Sequence, residues 1–164
     1  MTVETFQWIA GGVPVGVPVV QVYGWLVDET GAVLIQDVGD GFNLPGGSPE
    51  PEDHGDPVAT LKREALEESQ VTVRDAVHLG YEVAHRDGRA VAFVRMAGRI
   101  GEFLPRQPDP DGGRLFRRLM APLDDAPALL GWGHSGCTQA SAVRRVASAR
   151  WGLRASYGAA VYRD

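Results

Sequence analysis

The sequence predicts an α/β fold of the α+β type, a mixed β-sheet covered by helices, and three observations carry that prediction. Runs rich in β-branched and aromatic residues alternate with Gly, Asp and Pro turn chemistry. Segment 57–69 has a capped helical start, and segment 139–151 repeats its apolar residues at helical spacing. The order strand, strand, helix, strands, helix suits helices packed on one sheet. At 164 residues the chain fits a single domain spanning 1–164.

Each element has a local cause. Val19 to Val27 is mostly β-branched or aromatic, Asp28-Glu29-Thr30-Gly31 supplies a turn, and 32–38 resumes an apolar run, which predicts a hairpin. The glycines and prolines of 39–55 predict a long loop. Asp56 suits a helix N-cap and Pro57 the first helical position, so a helix is predicted from Pro57 to Ser69. Strands follow at 77–84 and 90–97, joined across Asp87-Gly88, a pair that favours a tight hairpin turn. Pro105 to Gly113 predicts a loop at a site edge, 115–121 a strand, and Gln139 to Trp151 an amphipathic helix.

Composition narrows the function classes. A hydrophobic share of 44% and a charged share of 23% are those of an ordinary globular chain. A net charge of −5 gives no footprint for polymeric nucleic acid, although Arg114, Arg117 and Arg118 cluster locally. Cys137 is the lone cysteine, so no internal disulfide forms and a reducing, cytoplasmic setting is expected. Met1 to Ala10 lacks the basic start and long apolar run of a secretion signal, and no apolar run approaches the roughly 20 residues of a membrane span. A membrane partner is therefore not expected. The oligomeric state stays open, a homodimer included.

The helix at 57–69 carries the chemistry. At roughly 100° per residue, Val58, Leu61, Ala65 and Leu66 share a broad apolar arc, while Glu64, Glu67 and Glu68 converge on another face. Like charges at this spacing repel, and a cation relieves them. Magnesium suits such a cluster, with manganese as an alternative: both are hard ions that take oxygen ligands, and magnesium commonly completes its shell with water and phosphate. The bland alternative is a solvated acidic face in which Arg63 pairs with Glu67.

Leu44-Pro45-Gly46-Gly47, followed by Arg63-Glu64-Ala65-Leu66-Glu67-Glu68-Ser69-Gln70-Val71, resembles the signature of the Nudix hydrolase family, G-x5-E-x7-R-E-U-x-E-E-x-G-U with U aliphatic. Gly47 stands at the first glycine, and Ala65 and Val71 stand at the two aliphatic positions. The element order extends the likeness over residues 19 to 121. The resemblance implies a Nudix-like α/β/α sandwich and magnesium-dependent hydrolysis of a diphosphate linkage in a nucleoside diphosphate joined to another moiety, a small-molecule substrate. It implies that Gly46, through its carbonyl, and Glu64, Glu67 and Glu68 are metal ligands. Arg63 would hold the glutamates in place, and Glu64 or a neighbour would orient or deprotonate the attacking water. Asp109 or Asp111 could add a distant ligand, as a loop acid often does in this family; a plain turn is the alternative.

Three departures stand out. The stretch from Gly47 to Arg63 is two residues longer than the pattern, leaving Asp53 and Asp56 as alternative counterparts of the first glutamate. Gln70 replaces a glycine at the helix end, where left-handed backbone is common. Gln36-Asp37 stands where many relatives carry a basic residue.

Two rival readings have some footing in the residues. Gly133-His134-Ser135-Gly136-Cys137 imitates a nucleophile elbow, but Cys137 replaces the closing glycine, and all four histidines, 54, 78, 85 and 134, precede Ser135. The second rival is a Nudix-like domain that binds a nucleotide or metabolite without catalysis, against which the like-charge cluster argues. His54, His78 and His85 are given no catalytic role, and Trp8, Trp25 and Trp151 are read as packing, with Trp132 alone a candidate for stacking on a base.

Overall fold

The alternation of side chains along β2 (Val19–Val27) decides the layering of the molecule. In the computed structural model, which describes residues 5–164, Val22 and Leu26 enter one core with Leu61 and Ala65. Trp25 and Val27 enter another with Val143 and Ala147. The first core lies under α1 (Pro57–Ser69), the second under α2 (Ala126–Leu130) and α3 (Gly133–Trp151). Helices thus cover both faces of one sheet, as expected. The expectation for the chain start falls partly on residues 1–4, outside the described residues.

The sheet runs β1 (Gln7–Ala10), β6 (Val71–Arg86), β7 (Arg89–Phe103), β2, β3 (Val33–Asp37), β8 (Arg117–Ala121) and β9 (Val161–Tyr162). It is mixed, because β2 and β7 are parallel while the other neighbours on this path are antiparallel. β2 and β3 share the register pair Val27 with Val33 and then part. Into the fork come β5 (Gly46–Gly47), pairing Gly46 with Tyr23 and Gly47 with Val22, and β4 (Phe42–Asn43), pairing with the end of β3. The segment expected to be irregular therefore contains two short ladders. Parted strands leave backbone groups that need partners, and the loop supplies them.

α1 has the predicted bounds. Asp56 accepts the Val58 N–H at 2.9 Å, Pro57 opens the first turn, and Gln70 closes the helix in a left-handed conformation. Leu61 and Ala65 are buried, but Leu66 is 46% exposed, against its expected place in the core. Its position at the margin of the apolar arc explains the difference.

β6 and β7 are longer than predicted, since Arg74, Asp75, Gly98 and Gly101 break the apolar pattern without breaking the ladder. Register shifts along β6 absorb the irregularities. The turn between them places Asp87 at φ 50° and Gly88 at φ 75°, as the Asp-Gly pair predicts. α3 begins at Gly133 rather than Gln139, so Ser135 lies on its first turn, donating a hydrogen bond to the Glu82 carboxylate instead of crowning an elbow. Gly136 is needed there because a side chain would meet Trp132 and Pro127. Among the described residues no helix is long and apolar enough to cross a membrane.

Leu61 is fully buried where α1 meets β2. Leu61→Ala is expected to lower unfolding free energy by about 2–5 kcal/mol, read as a shifted denaturant midpoint with an unchanged slope.

Candidate functional site

The residues singled out in the sequence meet where the β5 bend crosses the acidic face of α1. The Gly46 N–H donates to Glu68 Oε1 at 3.0 Å. A Cβ at Gly47 would stand 2.5 Å from the Glu64 carboxyl carbon, so the bend lies directly on that carboxylate. At Gly46 a Cβ would run into the Val22 carbonyl oxygen and the Tyr23 backbone. Gly46 is therefore required by its close approach to backbone, whereas a side chain at Gly47 would push the Glu64 carboxylate aside.

Arg63 ties this corner together. Its guanidinium grips Asp53 through two bonds, Nε to Oδ1 at 3.1 Å and a terminal nitrogen to Oδ2 at 2.9 Å. It also donates to Glu64 Oε1 at 2.8 Å and to the Ser48 carbonyl at 3.0 Å, and lies 3.5 Å from both Glu67 and Glu50. Asp53 is 4% exposed and takes further bonds from the Glu50 N–H and the Thr60 hydroxyl. The hydrogen bonds from Arg63 hold the Asp53 carboxyl well below its ordinary range despite burial. Of the two alternatives left open by the sequence, Asp53 meets Arg63, while Asp56 serves as the helix cap.

The three helix glutamates differ in environment. Burial raises the pKa of Glu64, and its bonds to Arg63 oppose the rise. Burial also raises Glu67, Arg63 opposes it, and the fields of Asp111, Glu50 and Asp109 add to it. Glu68 is pushed up to about 7, first by burial and against the pull of the Gly46 N–H, with Glu64 adding repulsion. A crowd of acids whose charged forms are all disfavoured is a place where a cation is stabilised.

The donor set fits magnesium or manganese in kind, being carboxylates beside a backbone bend. Among the described residues no group of three His, Cys, Asp or Glu side chains is placed so that these alone could hold a metal ion. Magnesium commonly keeps several waters and takes phosphate oxygens rather than an all-protein cage.

Asp109 and Asp111 lie near enough to act electrostatically on Glu67, yet Asp109 also accepts the Asp111 N–H at 3.0 Å in a local turn. Arg118 is structural: it is 2% exposed and donates to the Leu104, Ser69 and Arg163 carbonyls. Trp132 packs edge-on against Trp25 and covers the Arg95 guanidinium, so it is part of the second core.

Sequence reasoning did not single out Tyr23, and it met Gln36 only as a departure from the signature. Tyr23 pairs with Gly46 and feels Arg95, Glu68 and Glu64; Gln36 is 2% exposed and donates to the Ser69 hydroxyl at 3.0 Å. Their polarity inside otherwise apolar strands was the available signal.

No family model and no curated protein sequence matches the chain. Solved structures do. A Nudix hydrolase from Nitrosomonas europaea aligns with a TM-score of 0.55 at 18% identity, covering 76% of this chain and 88% of that one. The Ap4A hydrolase of C. elegans aligns at 0.50 and 14% identity, covering 80% and 97%. The Bacillus subtilis pyrophosphohydrolase BsRppH aligns at 0.51 and 20% identity, covering 62% of this chain and 63% of that protein, under two thirds of its length. The chain has the fold of the Nudix hydrolases.

Gly46→Ala is expected to cost about 1–3 kcal/mol through backbone displacement, measured by chemical unfolding. The raised pKa of Glu68 also sets a sign. In metal-free protein the folded state holds the proton between about 4.5 and about 7, so stability conferred by this group is full below 4.5 and declines as pH rises through 7. Thermal melts in chelator from pH 5 to 8 should show this decline, and Glu68→Gln should flatten it.

Proposed function

We propose that this chain is a Nudix hydrolase, a magnesium-dependent phosphoanhydride hydrolase that cleaves a diphosphate linkage in a nucleoside diphosphate joined to another moiety. One observation carries the reading: the double-glycine bend lies on the carboxylates of Glu64 and Glu68, with Glu67 on the same face and Arg63 joining Glu64 to Glu67. The fold supports it, since chains that share it include a pyrophosphohydrolase and an Ap4A hydrolase.

Glu64, Glu67, Glu68 and the Gly46 carbonyl would hold the metal, with manganese as a substitute. Such an ion, when bound, neutralises charge developing on diphosphate oxygens and lowers the pKa of a coordinated water. The residues of the chain do the rest. Arg63 fixes Glu64 against the bend and offsets part of the acid repulsion, so the carboxylates stay aligned before substrate arrives. Glu67, more exposed than Glu64, faces the 105–113 loop and is the member most open to substrate. Glu68 keeps the bend in place through the Gly46 N–H.

This arrangement is costly for a module that only binds. The repulsion among the three acids and the close glycine contacts have a use if charge must be stabilised in a transition state.

Glu67→Gln and Glu68→Gln are each expected to reduce turnover by about a hundredfold or more, with the thermal midpoint in chelator showing that the chain remains folded. Phosphate or nucleotide release from a panel of nucleoside diphosphate derivatives, assayed with magnesium and then with excess chelator, checks the reading. Release that survives chelation, or full activity in both variants, would remove its basis.

A further inference from the structure

α1 ends on a residue its backbone does not favour. Gln70 holds φ 49° and ψ 45°, the left-handed region in which glycine is usual. It is nonetheless 4% exposed, and both ends of its amide are engaged. Nε2 donates to the Glu67 carbonyl at 2.8 Å, and Oε1 accepts the Gln107 N–H at 3.1 Å. The Gln70 carbonyl accepts the Leu104 N–H at 2.8 Å. A single residue thus fastens the last turn of the acidic helix to the start of the proline-rich loop.

That loop then folds back on itself, with Asp109 bonded through its backbone to Arg114 and Gly113. Between loop and helix lies a cleft of about 340 Å³, walled by Leu66, Glu67, Leu104, Pro108 and Pro110. The volume is at the lower end of small-ligand sites. Leu66, exposed by 46%, gives the cleft an apolar wall immediately beside Glu67. A group attached to a diphosphate held at Glu67 would meet this wall first.

We propose that Gln70 is a positioning residue that holds the 104–113 loop against α1, and that the cleft so formed seats an apolar moiety attached to the diphosphate. This rests on the hydrolase reading for the site, whereas the fastening itself does not. Glycine at 70 would relax the backbone and leave the loop loose; glutamine accepts a strained conformation and defines the wall.

Two variants separate the parts. Gln70→Gly suits the backbone and keeps the carbonyl that binds Leu104, but removes both side-chain bonds. Leu66→Ser alters an exposed wall and leaves the fastening intact. Hydrogen exchange by mass spectrometry should show residues 105–113 exchanging about tenfold faster in Gln70→Gly, the effect of about one hydrogen bond, with no such change in Leu66→Ser. The kinetic probes are the aryl and methyl esters of one nucleoside diphosphate. The wild-type chain should favour the aryl ester in kcat/KM by about tenfold or more, chiefly through KM, and both variants should narrow that preference. Unchanged exchange in Gln70→Gly would overturn the fastening. Equal use of the two esters by the wild type, or a preference retained in both variants, would overturn the seat. Hydrolysis of neither ester would sink the hydrolase reading and the seat with it, while exchange still decides the fastening.

Discussion

The paired grip of Arg63 on Asp53 is the contact on which the candidate site depends. Asp53 lies in the loop, Arg63 on the helix, and two hydrogen bonds join them where Asp53 is almost wholly buried. A planar guanidinium suits this task because it binds one carboxylate through two donors and still has a donor for the next. Here the next are Glu64 and, more loosely, Glu67. Loop geometry and glutamate geometry are thereby set by the same side chain, and a buried pair of this kind leaves a costly orphan when one partner is lost.

The sheet supplies the other half of the geometry. Because β2 and β3 part after Val27 and Val33, the bend at Gly46 and Gly47 occupies the opening as a paired strand rather than swinging above it. Its backbone is fixed by Tyr23 and Val22 on one side and by Glu68 on the other. The acids that crowd this rigid edge have raised pKa values mainly because they are withdrawn from water. Fixed donors and withheld solvent are the conditions under which a charged transition state is stabilised without rearrangement.

Much of this was legible in the residues. The cap at Asp56, the Asp-Gly turn and the spacing of Glu64, Glu67 and Glu68 are local signals, and each gives the observed element or face. Long-range partnership was harder to read. β1 and β9 are short edge strands whose pairing with β6 and β8 depends on tertiary contact, and α2 has too few residues to show a period. The start of α3 was hidden because Gly133 to Gly136 look like loop residues until packing against Trp132 and Pro127 is known. Gln70 read as a defect in a pattern; its partner Gln107 is far along the chain, so no local rule could reveal the bond.

The position of the two additional residues has a consequence for how such a loop can change. Asp53 keeps its spacing from Gly47, so the surplus falls between Asp53 and Arg63, where exposed His54 and Gly55 turn at φ 52° and 73°. Both ends of this stretch are moored, at Asp53 by Arg63 and at Asp56 by the helix it caps. A residue added or removed at this point would be taken up as outward slack, and the edge formed by Glu64, Glu67 and Glu68 would stay still.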